Sequence, residues 1–76
     1  MKTIAVVVAG AAQAGEALRA AVGLTLRGDR VVVVPEIALP TDERSVRAVT
    51  TLRGLGHRVD GTFADVEAAE VVEWWT

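Results

Sequence analysis

The stretch IAVVVAGAAQAGEALRAAVGLTLRGDRVVVV, residues 4–34, decides the fold of this chain. It begins and ends with apolar runs rich in β-branched residues, at 4–8 and 30–34, which predict strands buried on both faces. Between them, residues 12–27 place their apolar side chains on one face at helical spacing. Gly28 ends this helix. A strand, a helix and a strand in this order predict a parallel pair joined by a right-handed crossover.

The second half of the chain continues the alternation of helix and strand. Thr41 is the predicted N-cap of a second helix, which glycines end. Residues 58–63 alternate as a more exposed third strand, 65–70 form a short helix, and 71–75 form a fourth strand. The alternative for the last segment is one longer helix over 64–74, because its valine and tryptophan side chains would then share a face.

The element order βαβαβαβ predicts a single α/β domain over residues 1–76. Its four-stranded parallel sheet would lie between two layers of helices. We expect the strand order 2-1-3-4, as in flavodoxin-like proteins, because this order keeps consecutive crossovers short. Residues 4–8 would then lie inside the sheet, and 71–75 would lie at an edge.

Composition limits the classes of function. The net charge of −2 disfavours nucleic acid and anionic membranes as partners. The chain has no cysteine, which excludes disulfides, thiolate metal sites and sulfur nucleophiles. With 51% hydrophobic residues in a domain this small, we expect apolar surface to be shared with another subunit. The first residues resemble either a secretory signal or a buried strand; we favour the strand and a cytoplasmic protein.

Two features that often carry chemistry do not support it here. Gly10 and Gly15 have the spacing of a phosphate-binding loop, but Glu16 and Ala17 stand where that loop has Lys and Ser or Thr. His57, the only histidine, precedes the third strand, whereas parallel sheets bind ligands at the carboxyl ends of strands. We therefore predict a packing turn and a solvated histidine. We also predict no catalytic residue, no metal site and no cofactor.

The charges divide along the strand axis. Arginines, Arg58 among them, stand mostly at the amino end of the predicted sheet, and carboxylates stand at the carboxyl end, an arrangement that also complements the helix dipoles. The expected ligand crevice is therefore acidic and would repel a phosphate, and Glu36 with Asp65 is a weak cation site. The residues at the strand ends that would contact a small ligand are Gly10, Gln13, Glu36 and Thr62.

Trp74 and Trp75 stand side by side in a chain with one further aromatic residue. On a strand they point to opposite faces, so one core cannot take both rings. Trp74 shares its face with Val72 and is the candidate for the core of the domain. Trp75 shares its face with Glu73, so we expect it at a rim or against a partner. We predict a subunit interface formed by Val72, Trp74 and Trp75; the alternative is that both rings cap the core of a monomer.

The segment EALRAAVGLTLRGDRVVVVP, residues 16–35, resembles the DsrE/DsrF/DsrH family of small sulfur-relay proteins, which includes the TusBCD subunits. The first helix of that family reads roughly A-L-x-x-A-x-G-L-x-x-R-G and leads into an apolar strand. The matching positions here are Ala17, Leu18, Ala21, Gly23, Leu24, Arg27 and Gly28. Further on, LRGLGHRVDG and AAEVVEWW are similar to the family's later glycine turn and its closing strand.

The resemblance implies a DsrE-like fold that assembles into homo-oligomers, or into heteromers with related subunits. Active members pass persulfide sulfur on a cysteine after the third strand, but the corresponding residues 60–68 read DGTFADVEA. The chain is also short for the family. We therefore expect a non-catalytic oligomeric module, a scaffold or accessory subunit of a sulfur-relay-type assembly. The alternative is a small-ligand-binding protein that uses the carboxyl ends of the strands.

Overall fold

Three parallel strands form the sheet in the computed structural model, which describes residues 1–76. The strands are β1 (Thr3–Val8), β2 (Arg30–Pro35) and β3 (Val71–Trp75), and their order is β2-β1-β3. The predicted α/β class and parallel sheet are confirmed. The first strand lies inside the sheet and the last lies at an edge, also as predicted. The alternative of a long helix at the last segment is wrong.

Helices connect the strands. They are α1 (Ala14–Thr25), α2 (Glu43–Gly54) and α3 (Phe63–Ala68), and a 3-10 turn over Ala11–Gln13 leads directly into α1. None of these helices combines the length and the apolar character needed to cross a membrane. The apolar face predicted for the first helix is the face that is buried, since the buried residues of α1 are Ala14, Ala17, Leu18, Ala21 and Leu24.

The sheet separates two cores of unequal size. On one face, which we call the α1/α2 face, 13 buried residues from β1, β2, α1, α2 and the following loop form the larger core. On the opposite face, the α3 face, four buried residues form the smaller core: Ala5, Val7, Val32 and Val34. Both faces of β1 and β2 are thus covered. This explains why these strands read as unbroken apolar runs rather than as alternating ones.

The predicted strand over 58–63 does not form. Arg58 makes a single parallel bridge to Val32, so this segment lies beside β2 rather than β1. The observed β3 corresponds to the predicted fourth strand, and it lies directly beside β1. The predicted order 2-1-3-4, in which the strand over 58–63 separates these two, is therefore not observed. Gly61 explains the short pairing, because a Cβ there would lie 2.5 Å from Val32 Cγ1. The chain passes too close to β2 for a pleated strand that carries side chains on both faces.

Candidate functional site

The end of β3 covers the carboxyl end of β1. The backbone N–H groups of Ala9 and Gly10 both donate to the carbonyl oxygen of Trp75, at 2.9 and 3.0 Å. A Cβ at Gly10 would overlap the carbonyl oxygen of Thr76. Gly10 therefore permits a close backbone approach, which accounts for a small residue after β1 without any ligand.

The other predicted ligand contacts are dispersed. Gln13 is exposed at the end of the 3-10 turn. Glu36 is exposed, and its N–H donates to the carbonyl oxygen of Val8 at 2.9 Å. Thr62 caps α3, and its N–H donates to Asp65 at 2.8 Å. Neither cavity of the molecule is lined by any of the four predicted residues.

The larger cavity, of about 330 Å³, lies between the first turns of α1 and α2. It is lined by Ala11, Gly15, Arg19, Pro40, Asp42, Arg44 and Ser45. Sequence reasoning missed it, because its residues come together only when α1 packs beside α2. Two arginines and one carboxylate line the cavity. Its lining is therefore not acidic, unlike the crevice predicted at this end of the sheet.

Asp42 organises one wall of this cavity. It is the N-cap of α2, in place of the predicted Thr41, and it accepts a hydrogen bond from the N–H of Ser45 at 3.2 Å. Hydrogen bonding from Ser45, first from its side chain and then from its backbone, lowers the pKa of Asp42 below 3.8. Across the cavity, Arg19 pairs with Glu16 one turn earlier in α1. The charges that line the cavity are thus partly neutralised within the chain.

Arg58 and Asp65 form an ion pair that the sequence did not predict. The guanidinium contacts both carboxylate oxygens, at 2.9 and 3.2 Å, so this pair departs from the predicted separation of arginines and carboxylates along the strand axis. The N–H of Thr62, together with Arg58, lowers the pKa of Asp65 below 3.8, and Asp65 raises the pKa of Arg58. Asp65 is thus already paired with Arg58, so it is not a free ligand for the weak cation site that was predicted for it and Glu36. No three potential metal-ligating side chains cluster anywhere in the chain.

His57 has a structural role. Its side-chain Nδ1 accepts a hydrogen bond from the backbone N–H of Val31 at 3.1 Å. Its backbone N–H donates to the carbonyl oxygen of Leu52 at 2.9 Å. His57 is half-buried and hydrogen-bonded, so the prediction of a solvated histidine is wrong. A second cavity of about 260 Å³ lies beside it, and Thr25 is the one hydroxyl residue that lines it. That hydroxyl donates to the carbonyl oxygen of Val22 at 2.6 Å.

The two tryptophans lie on opposite faces, but their roles are the reverse of the prediction. Trp75 points to the α1/α2 face and packs against the larger core. Trp74 points to the α3 face and is 57% exposed. The short α3 packs over β2 and β1, which leaves Trp74 uncovered at the edge. The sequence shows that the rings diverge, but it does not show which face has the better cover.

The outer edge of β3 carries exposed apolar side chains on both faces of the sheet. Trp74 is joined there by Val71, which is 37% exposed, while Val72 packs against the smaller core. Sequence reasoning omitted Val71 from the interface. The signal that identifies it is a strand at the sheet edge without Pro or Lys, the residues that commonly protect such edges.

No protein-family model, curated protein or solved structure matches this chain. The resemblance to the DsrE/DsrF/DsrH family thus stays a prediction that rests mainly on residues 16–35.

Proposed function

We propose that this chain is a non-catalytic, oligomeric DsrE-like module that acts in the cytoplasm as a scaffold or accessory subunit of a sulfur-relay-type assembly. The observation that carries the proposal is the exposed apolar edge at β3. Covering the exposed half of the Trp74 ring would contribute on the order of 2–3 kcal/mol before entropy is deducted. In a domain this small, such exposure favours contact with another subunit, either a second copy or a related chain.

The lack of cysteine supports an accessory role. A cysteine persulfide cannot form on this chain, so any sulfur transferred in the assembly would travel on a partner. The histidine, which in an enzyme would be the first candidate for a base, has its Nδ1 engaged by the backbone of β2. These features agree with a subunit that positions other components.

Sedimentation tests the assembly. We expect the wild type to sediment as an oligomer that dissociates on dilution through the micromolar range, and Trp74→Ala to shift it toward the monomer. Leu26→Ala is the matched control, because Leu26 is an 83% exposed apolar residue at the end of α1, outside the edge strand. A wild type that is monomeric at every concentration would refute the proposal.

Intact mass tests the absence of sulfur transfer. After incubation with a persulfide donor and removal of the donor, we expect the mass of the chain to be unchanged, because no thiol accepts sulfur. A stable gain equal to one sulfur atom on the purified chain would contradict this prediction. A cysteine-bearing protein treated in parallel shows that the donor is active.

Binding of a small polar ligand is the second candidate function. The cavity between α1 and α2 favours it, since about 330 Å³ lies within the size range of ligand pockets. Native mass spectrometry of the purified chain reports assembly and any retained ligand together. A retained mass that is lost in Arg44→Ala would support this function. If no ligand is retained by the wild type, the candidate loses its support.

A further inference from the structure

The outer edge of β3 carries unpaired backbone groups. The carbonyl oxygen of Trp75 accepts from the N–H of Ala9 in the extension of β1 at 2.9 Å, and Trp75 pairs in register with Val8. The odd-numbered residues of β3 therefore direct their backbone groups toward β1. Alternate residues of a strand serve opposite edges. Val72 and Trp74 therefore direct their N–H and C=O groups away from the sheet.

This edge lacks the features that prevent pairing with another strand. The pairing of β3 with β1 runs without a bulge from Val71 to Trp75, and the strand contains no Pro and no Lys. Its single charge is Glu73. The exposed side chains beside the edge are the apolar Val71 and Trp74. A free, regular and apolar edge strand accepts a further strand.

We infer that β3 pairs antiparallel with β3 of a second copy, about a two-fold axis at Glu73, and that the two sheets become one sheet of six strands. This inference rests on the proposed assembly and specifies how it forms. In this register Val71 faces the partner's Trp75, and Val72 faces the partner's Trp74. Val72 and Trp74 exchange backbone hydrogen bonds with the partner's Trp74 and Val72, and all five residues of the strand find a partner.

The two-fold arrangement is self-complementary on both faces. An axis normal to the sheet keeps each α3 face beside the other, so Trp74 lies directly opposite the partner's Val72 at a hydrogen-bonded pair. Aromatic and β-branched residues at such positions stabilise paired strands. A second copy supplies this match on both sides of the axis at once, which an unrelated strand would have to reproduce.

The same register carries a cost that makes it testable. Glu73 faces the partner's Glu73 on the axis, and like charges directly opposite each other destabilise paired strands. The contact is also small, since a standard interface uses roughly 20–30 residues on each side. We therefore expect a reversible dimer with a dissociation constant in the micromolar range.

Substitutions at residue 73 test the register. Glu73→Gln removes the repulsion, and we expect the dissociation constant to fall about two- to fivefold. Glu73→Lys replaces one like-charged pair with another, so this variant alone should dimerise no better than the wild type. Mixed with isotopically labelled wild type, however, Glu73→Lys places opposite charges across the axis. Native mass spectrometry should then show heterodimers above the proportion expected from random exchange.

The outcomes separate this inference from the proposed assembly. Circular dichroism first confirms that each variant is folded. An excess of heterodimers, together with tighter dimers of Glu73→Gln, supports pairing about residue 73. A wild type that forms dimers whose stability is unchanged in both variants, with statistical mixing, overturns the strand pairing and leaves the assembly intact. A monomeric wild type overturns both.

Discussion

Gly61 allows the chain to pass against β2. A Cβ there would lie 2.5 Å from Val32 Cγ1 and 3.0 Å from the carbonyl oxygen of Val33. We expect Gly61→Ala to lower the free energy of unfolding by about 1–3 kcal/mol, because the packed strand has to move. Denaturant unfolding monitored by tryptophan fluorescence measures this loss.

Gly23 provides the matched control for that substitution. It is exposed within α1, and a Cβ there would meet no atom within 4 Å. Gly23→Ala should therefore raise the free energy of unfolding by up to about 1 kcal/mol through helix propensity alone. Equal effects of the two alanines would show that the close approach at Gly61 contributes nothing.

His57 is expected to matter for stability through one acceptor atom. Without Nδ1, the N–H of the fully buried Val31 loses its partner, which costs about 1–3 kcal/mol. We expect His57→Ala to show this loss in denaturant unfolding. His57→Asn should recover part of it, since the amide oxygen of Asn lies near the position of Nδ1. If Ala and Asn destabilise equally, the hydrogen bond is not the cause.

The two tryptophans show where prediction from sequence stops. Strand alternation correctly placed Trp74 and Trp75 on opposite faces. It did not assign the core, because that depends on which helices cover each face, and helix coverage is a tertiary property. Glu73 lies two residues before Trp75 on the same face, and its charge wrongly indicated that Trp75 lies outside the core. Trp75 packs on the larger core although its face also carries this charge.

Among the elements, α3 begins with a charged capping network. Its capping box joins Thr62 and Asp65, and the Thr62 N–H and Arg58 lower the pKa of Asp65 below 3.8. A carboxyl group whose pKa is lower in the folded than in the unfolded state stabilises the fold above its unfolded pKa. That stabilisation is lost as the pH falls through the folded value. The stabilisation that Asp65 provides is therefore lost below about pH 4.

Acid titration of stability tests this role. We expect the free energy of unfolding of the wild type to decrease as the pH falls below about 4, because the unfolded state then binds more protons. Asp65→Asn should be less stable at neutral pH and should show a weaker decrease. Asp42 has a lowered pKa for a similar reason, so it leaves a residual dependence in that variant. Parallel curves for the wild type and Asp65→Asn would contradict the assignment.

The prediction of helices and strands was correct where the apolar pattern was long. It was wrong at residues 58–63, where the close approach of one glycine prevents the strand from continuing. The runs in β1 and β2 and the periodic face of α1 identified the βαβ unit, with helix ends off by two residues. Residues 58–63 alternate like a strand, yet Gly61 lies too close to β2 for that pairing to continue. The cavity between α1 and α2 was not predictable, because helix packing rather than sequence proximity brings Arg19 near Arg44.

Over the whole molecule, the two faces of the sheet differ in cover. Two helices of 12 residues protect the α1/α2 face, whereas the six residues of α3 protect the other, and α3 has no fully buried residue. Elements with few buried contacts open below the global free energy of unfolding. We therefore expect α3 to open by itself, while β1 and α1 open only when the whole molecule unfolds.

Native-state hydrogen exchange distinguishes these openings. The amides of β1 and α1 should exchange with one common free energy, and the amides of α3 with a lower one that depends little on denaturant, because little surface is exposed when α3 opens. Gly23→Ala provides the control: it should raise the free energy for β1 and α1 and leave that for α3 unchanged. If α3 exchanges together with β1 in both proteins, the small core and the large core form one cooperative unit, and the difference in cover has no energetic consequence.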